Sequence, residues 1–455
     1  MKQRGEFLFY VSVGAGMALA TISFTMLSGL FEAASGGWVV LGMVLGGVMC
    51  GVIAASVGEL AGMFPSAPGI RTYLKAAFGN RPSLFLVHLY LIFLVMIAGA
   101  ESYLFSLVVE QVAPGLPHMA VILVLLGSVV LVNLYGLELP RNVQMVTAFV
   151  LLGILCVTGI AGILAGGPAA GGGPAPEGLG LSGSPGLLPL VATMAIFLYV
   201  GFEWVTPLGL RPNAYERPIP LAMLTAILAN VVACGLFASG MATTMPREAI
   251  TATFIPQVPY LGGLLGRAGV WLAVGVSCMA CISTFNAGIM GSSRLIFALT
   301  RESLLPKWAG TINPETGAPR GAVLFMGALA AVSATLVVAL DAPLLAALIG
   351  SAIIAFVYAA FMLAVLRLRR LKPAGRRPFR TPLPAGVQWA FAGVLPLLGV
   401  GTLFELEEQY PWQAVAGFLL ALAAAALLTR WSEALSRPAA APAARAVPEE
   451  AKSLT

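Results

Sequence analysis

Twelve apolar runs dominate this sequence, and at about 20 residues each they are long enough to cross a bilayer as helices. Hydrophobic residues make up 59% of the chain and charged residues only 10%, with a mean hydropathy of +0.93. Helices satisfy their own backbone polar groups, which a segment inside a membrane must do. We therefore expect an all-α polytopic membrane protein, with spans at 7–31, 38–62, 83–112, 118–136, 143–166, 187–210, 218–243, 268–299, 320–340, 343–366, 386–404 and 411–429.

The positive charges follow the alternation of these spans. Lys and Arg collect in the cytoplasmic loops of membrane proteins. With both termini inside, every Lys and Arg except Arg247 and Arg267 lies on the cytoplasmic side. The pattern predicts a multi-pass protein of the cell membrane with N-in, C-in topology. The lipid bilayer is then the partner that accounts for the net charge of +6, and no nucleic acid is expected to bind.

The sixth run places an ionisable residue beside helix breakers. It reads AIFLYVGFEWVTPLGLRPN over 195–213, with Gly201 and Pro207 on either side of Glu203. A carboxylate at the middle of a membrane helix costs about 3 kcal/mol on insertion scales, so it normally faces a cavity or a pathway. Non-helical backbone at that depth also survives only where it lines a cavity or is buried in protein. The run predicts a broken helix at a binding site.

The first and third runs also carry polar residues at membrane depth. The first holds Gly14, Gly16 and several hydroxyl residues, which fits either tight helix packing or a second broken helix. Its position favours the break, because spans one and six are corresponding members of two five-span halves and transporters interrupt such pairs. The third run holds Glu101, for which a role in coupling or pocket shape and an inert buried carboxyl group are both open.

Two stretches carry a family resemblance. The second run ends in GELAGMFPSAPGIRTYLKAAFGN (58–80), and the eighth continues into ISTFNAGIMGSSRLIFALTRESLLPKW (282–308). Together they resemble the amino acid-polyamine-organocation transporter superfamily, which carries a similar E-L-x-x-x-F-P-x-x-G-G stretch, with glycine where this chain has Pro68. The resemblance implies the LeuT-type fold: two inverted five-helix repeats with discontinuous helices one and six, followed by two extra C-terminal helices.

On that fold the chain divides into seven segments. We expect a cytoplasmic N-tail (1–6), a first inverted repeat (7–166), an external Gly/Pro-rich loop (167–186), a second inverted repeat (187–366), a basic cytoplasmic loop (367–385), helices eleven and twelve (386–429) and a disordered cytoplasmic tail (430–455). Within the second repeat, the resemblance implies that the loop 246–266 helps to close the outer vestibule.

The resemblance assigns part of a substrate site to helix six and helix eight. Phe197 matches an aromatic residue that closes over the substrate, and Val200 with Gly201 matches the unwound turn. Glu203 matches a buried, proton-sensitive glutamate. Asn286 is a polar side chain deep in the eighth span, and we expect it to contribute to the pocket from there.

Helix one departs from the family pattern. Ala20, Thr21 and Ile22 stand where the family has G-[ST]-G, and all three are predicted to line the substrate site. A register shifted by one residue places Thr21, Ile22 and Ser23 there instead, and both registers lack the two glycines. A Cβ at these positions narrows the approach of a substrate carboxylate to the backbone. A carboxylate-free amine, or an amino acid seated differently, therefore competes with the usual amino acid pose.

Candidate coupling residues fall into two groups. Glu203 and Glu101 are the candidates for carrying a proton, and Ser283 and Thr284 are the candidate sodium ligands. In some proton-coupled members of the superfamily a lysine on helix five occupies the place of the sodium ion. The resemblance aligns Val150 with that lysine.

These features predict a secondary active transporter that moves an amino acid or a related small amine by alternating access, with proton coupling, sodium coupling and ion-free exchange all open. The alternative is a transporter-like sensor or scaffold without net transport, and a membrane-embedded enzyme has the least support. No cofactor or metal is expected, because Cys278 and Cys281 lack a second ligand pair.

Overall fold

A computed structural model describes residues 2–65, 69–136, 138–167, 175–209, 212–404 and 412–436. Within these ranges the chain consists of helices, turns and irregular segments, with no strand. Pro68, part of the external loop (168–174) and most of the predicted disordered tail (437–455) lie outside the described residues.

The α-helices of the described ranges are numbered in chain order. They are α1 (Lys2–Ala18), α2 (Thr21–Ala33), α3 (Gly36–Met63), α4 (Ile70–Phe78), α5 (Asn80–Glu110), α6 (His118–Leu134), α7 (Glu138–Ala165), α8 (Leu188–Ile196), α9 (Pro218–Thr244), α10 (Arg247–Thr251), α11 (Gln257–Leu265), α12 (Arg267–Arg301), α13 (Arg320–Leu340), α14 (Pro343–Leu371), α15 (Ala385–Gly401) and α16 (Gln413–Ser436).

Each predicted span coincides with helical structure. In the described part of the chain, ten helical segments are long and apolar enough to cross a membrane, and the bent pair α1 and α2 makes an eleventh if it is one span. The fourth predicted span, α6, is apolar but only 17 residues long. A helix needs about 20 apolar residues to cross a bilayer, so the lengths of the apolar runs predicted where the helices lie. The number of such helices makes the chain a multi-pass membrane protein.

The first span is broken, as predicted. α1 ends at Ala18 and α2 begins at Thr21, with a bend of 53° between them. Ala20 is extended, with φ −103° and ψ 159°, so the chain leaves the helix for two residues. No glycine occupies the break itself, and contacts with other helices must hold it open.

The sixth span is broken at its glycine. A 3-10 turn over Phe197–Tyr199 follows α8, Val200 is extended, and Gly201 has φ +113°. Only glycine adopts that conformation readily. A Cβ on Gly201 would also lie 2.8 Å from Cβ of Met17 on α1. Beyond the break the chain continues as a 3-10 helix, Phe202–Leu208, which contains Pro207.

Two ion-pair clusters join helices near the 58–80 motif. Glu59 is fully buried and accepts hydrogen bonds from Nε and Nη2 of Arg369 on α14 at 2.9 and 2.6 Å. Arg71 of the short helix α4 is also fully buried and pairs with Glu302 at 3.2 Å. The 58–80 motif therefore joins α3 to the C-terminal end of α14 and α4 to the C-terminal end of α12.

The segment between α9 and α12 packs on the second half of the broken first span. The Thr25 hydroxyl on α2 donates to the Phe254 carbonyl at 2.6 Å, and the Ser28 hydroxyl donates to the Ile250 carbonyl at 3.1 Å. This segment contains α10 and α11. Movement of α2 would therefore be transmitted to it.

Candidate substrate site

A cavity lies beside both helix breaks, between them and the helices α5 and α12. Its lining is almost entirely apolar, and the polar side chains that reach it are Ser23, Glu101 and Thr284. It extends sideways to Leu126 of α6 and Met326 of α13. A concave, mostly apolar space with a few convergent polar groups is the usual form of a small-molecule site.

The carboxylate of Glu101 caps the N-terminus of α2. Its Oε1 accepts from the Thr21 N–H and its Oε2 from the Ile22 N–H, both at 2.7 Å. The Cys281 thiol of α12 donates to Oε1 at 3.0 Å. The first N–H groups of a helix have no partner within the helix, and a negative charge there is also favoured by the helix dipole. Glu101, fully buried, therefore anchors the start of α2 to α5.

Hydroxyl groups satisfy the backbone on the other side of this break. The Ser23 hydroxyl donates to the Ala18 carbonyl at 2.8 Å. The Thr284 hydroxyl of α12 donates to the carbonyls of Gly16 and Leu19 at 3.1 and 3.3 Å. Buried helix ends require such partners. The break is therefore supported from α12 as well as from α5.

Phe197 and Val200 bring the second break to the cavity, and both line it. The Phe197 ring meets Phe93 of α5 edge-on, with 6.5 Å between ring centroids and 81° between planes. Edge-to-face packing is favourable for aromatic rings. These two rings form an apolar wall that is suited to closing over a small ligand.

Glu203 is fully buried but does not line the cavity. Its Oε2 accepts from the Tyr358 hydroxyl of α14 at 2.9 Å, and its Oε1 has no hydrogen-bond partner in the described part of the chain. A buried carboxylate without a cationic partner is costly. Of the two mid-membrane glutamates, Glu203 is thus the one with a carboxylate oxygen that no described group satisfies.

A buried amide links the fifth span to both α1 and α12. Nε2 of Gln144 donates to the Ser12 carbonyl and to the Ser283 hydroxyl, each at 2.9 Å, and Gln144 is fully buried. Val150, by contrast, is 46% exposed. Val150 therefore does not face α1 and α12, contrary to its alignment with the helix-five coupling position, whereas the Gln144 amide contacts both helices. The hydroxyl groups of Ser283 and Thr284 are engaged in separate hydrogen bonds.

Asn286 belongs to the same amide network. Its Nδ2 donates to Oε1 of Gln144 at 3.2 Å and to the Pro140 carbonyl at 2.8 Å, and its Oδ1 accepts from Asn133 at 3.0 Å. These bonds satisfy the amide on both sides. Asn286 therefore joins α12 to α6 and α7, away from the cavity lining.

The structure separates the predicted site residues into two sets. The residues that line the cavity are Ala20, Ile22, Phe197, Val200, Glu101 and Thr284. The residues outside the lining are Thr21, Gly201, Asn286, Glu203 and Ser283. Thr21 still takes part through its backbone N–H, and its hydroxyl lies 3.4 Å from the Cys281 sulfur.

Sequence reasoning missed three residues of this region: Gln144, Cys281 and Tyr358. Gln144 and Tyr358 are polar side chains inside apolar runs, which is the signal that drew attention to Glu203. Cys281 was considered only as a possible metal ligand, whereas its thiol donates to Glu101. Within the ranges that the structure describes, no group of three or more His, Cys, Asp or Glu residues could hold a metal ion.

Sequence comparison adds independent evidence. The family profile described as "Amino acid permease" matches residues 7–426. The uncharacterized amino acid permease YecA of Bacillus subtilis (strain 168) is 26% identical over 61% of this chain and 64% of its own length. The low-affinity putrescine importer PlaP of Escherichia coli (strain K12) is 24% identical over 61% and 62%. Cationic amino acid transporter 3, mitochondrial, of Arabidopsis thaliana is 22% identical over 83% and 63%.

The chain spans a little under two thirds of the length of each of these relatives. The family profile, however, covers nearly all of the sequence, including both broken spans and every residue of the cavity. The chain belongs to the amino acid permease family.

Proposed function

We propose that this protein is a secondary active transporter that moves an amino acid or a related small amine across the cell membrane by alternating access. The observation that carries the proposal is the cavity beside two broken helices. Broken helices with a site between them are the parts from which many transporters build their substrate site. The names of the relatives, amino acid permeases and a putrescine importer, support this range of substrates.

The proposed cycle uses two halves of the chain. We assign 7–166 and 187–366 to two inverted repeats, because the break falls in the first span of each. The positive charges favour N-in, C-in topology. In that orientation the Glu59–Arg369 and Arg71–Glu302 pairs close the cytoplasmic side, and 246–266 covers the outer side against α2. Each opening would break one set of contacts and keep the other.

For coupling, we propose that a proton or simple exchange is used, without sodium. The Gln144 amide nitrogen already binds the Ser12 carbonyl and the Ser283 hydroxyl, two oxygens for which a bound cation would compete. Glu203 offers a proton-binding group, since a neutral carboxylic acid is much less costly to bury than a carboxylate. Tyr358 is placed to hydrogen-bond either form.

Counterflow in proteoliposomes tests this function. Vesicles loaded with one of a panel of amino acids, monoamines and diamines would receive the same compound radiolabelled outside, with protein-free vesicles as the control. We expect at least one compound to accumulate transiently, equally well when choline replaces sodium. Flux that requires sodium would overturn the coupling proposal alone. Ligand-induced thermal stabilisation without flux of any compound would contradict transport and favour a sensor or scaffold.

A further inference from the structure

We infer that the cavity takes a monoamine without a carboxylate, with an apolar body, and that Glu101 binds its ammonium group. The inference rests on the proposed transport function and narrows its substrate class. Three features of the cavity support it. The first N–H groups of α2 are already hydrogen-bonded, the described lining residues include no cationic side chain, and the remaining lining residues are almost all apolar.

The N–H groups at the break are already used. Those of Thr21 and Ile22 donate to the Glu101 carboxylate, and that of Ser23 donates to the Ala20 carbonyl at 3.0 Å. These are the donors with which the N-terminus of a half-helix would otherwise bind an anion. Glu101 therefore occupies, from within the chain, the place where a substrate carboxylate would bind.

The break in the sixth span does not supply N–H donors for a ligand carboxylate in place of those of α2. The N–H of Val200 donates to the Phe197 carbonyl at 3.4 Å, and Gly201 does not line the cavity because Met17 packs against it. Among the described residues that line the cavity, Glu101 is the one charged side chain. A ligand carboxylate would enter without a donor or a countercharge, which is strongly unfavourable.

A ligand ammonium group, by contrast, would have a countercharge in the cavity, the Glu101 carboxylate. The Glu101 carboxylate is fully buried and lines the cavity. Its partners in the described part of the chain are neutral donors and include no cationic side chain, so a ligand cation would supply the missing countercharge. A second ammonium, as in a diamine, would have no such partner. The rest of the space runs between Phe93, Ile97, Phe285 and Ile289, which suits an aryl or alkyl body.

Four compounds with matched differences test the inference on the wild-type protein. Phenethylamine and phenylalanine differ only in the carboxylate, phenylalaninol replaces the carboxylate with a neutral alcohol, and 1,4-diaminobutane adds a second ammonium while lacking the ring. We expect phenethylamine and phenylalaninol to raise the melting temperature and to give counterflow. We expect Kd for phenylalanine to be at least about a hundredfold higher, because a buried charge without a partner is costly.

Glu101→Gln is expected to raise Kd for phenethylamine by about tenfold or more, since a hydrogen bond between charged groups is lost. Glu110→Gln makes the same chemical change on the same helix, at its exposed end outside the cavity, and is expected to leave binding unchanged. If Glu101→Gln does not fold, the four-compound comparison on the wild type still decides.

The outcomes separate this inference from the proposed function. Flux of phenylalanine with no flux of phenethylamine would overturn the inference while transport stands, as would preferred flux of 1,4-diaminobutane. Unchanged amine binding by folded Glu101→Gln would also overturn it. Absence of both binding and flux across this set and the wider panel would contradict both proposals.

Discussion

At the scale of single residues, the two mid-membrane glutamates have different surroundings although their sequence contexts look alike. Glu101 lines the cavity and accepts from two backbone N–H groups and a thiol. Glu203 lies off the cavity and accepts a hydrogen bond from the Tyr358 hydroxyl. Both were candidates for proton coupling, but only Glu203 has an oxygen that no described group satisfies. We therefore assign ligand binding to one and proton binding to the other.

Glu203→Gln tests the proton assignment. The amide keeps the size of the side chain and mimics the neutral acid, so the variant should no longer bind a proton at this position. In wild-type proteoliposomes we expect uptake to rise when the outside is acidified, driven by about 1.4 kcal/mol per unit of pH difference. In Glu203→Gln that dependence should be lost. Glu216→Gln, the same change at an exposed position, should behave as wild type. A normal pH response in Glu203→Gln would refute the assignment.

Residue identity alone could locate these glutamates but not their roles. The contact between Glu101 and Thr21 joins residues 80 positions apart, and that between Tyr358 and Glu203 joins residues 155 apart. Such contacts depend on which faces of the helices meet. Depth in the membrane can be read from the position in an apolar run, whereas the facing partner is a property of the packed bundle.

At the scale of elements, the two broken spans are broken for different reasons. The first has no glycine at its break and depends on Glu101, Ser23 and Thr284 for its backbone hydrogen bonds. The sixth depends on the left-handed backbone of Gly201. The first break is therefore held by partners on other helices, and the second by local backbone chemistry, which is why the sequence signals it more clearly.

Gly201→Ala is expected to destabilise the protein. A side chain at φ +113° costs about 1–3 kcal/mol, and contact with Met17 adds to this. The melting temperature in detergent should fall and counterflow should be lost. Gly235→Ala is the matched control: it lies inside α9 with no atom within 4 Å of the added Cβ, and alanine is the better helix former. Equal stability of the two variants would contradict the backbone argument.

Helix ends were the least predictable part of the elements. The fifth span was expected from residue 143, but α7 begins at Glu138, so Gln144 lies more than one turn inside the helix rather than at its first turn. The last helix likewise continues to Ser436, beyond the predicted start of the disordered tail at 430. Both helices continue into polar residues beyond their apolar runs, because a membrane helix does not have to end where the hydrocarbon region of the bilayer ends.

At the scale of the whole molecule, hydrophobic length determines the architecture. The spans could be predicted because a helix makes all of its backbone hydrogen bonds within one segment, as a chain inside a bilayer must. The cavity could not, since its walls come from helices far apart in sequence, such as α2, α5 and α12. We propose that this cavity opens in turn to each side of the membrane.

The accessibility of a cysteine in Ser23→Cys from each side of the membrane tests this alternation, because Ser23 lines the cavity at the first break. A membrane-impermeant methanethiosulfonate reagent would be applied from either side of proteoliposomes with oriented protein, and counterflow would be the readout. We predict that reagent from either side inhibits Ser23→Cys, that a transported ligand protects it, and that the wild type with its native cysteines is unaffected. Modification from one side only, or without protection by ligand, would contradict alternating access at this cavity.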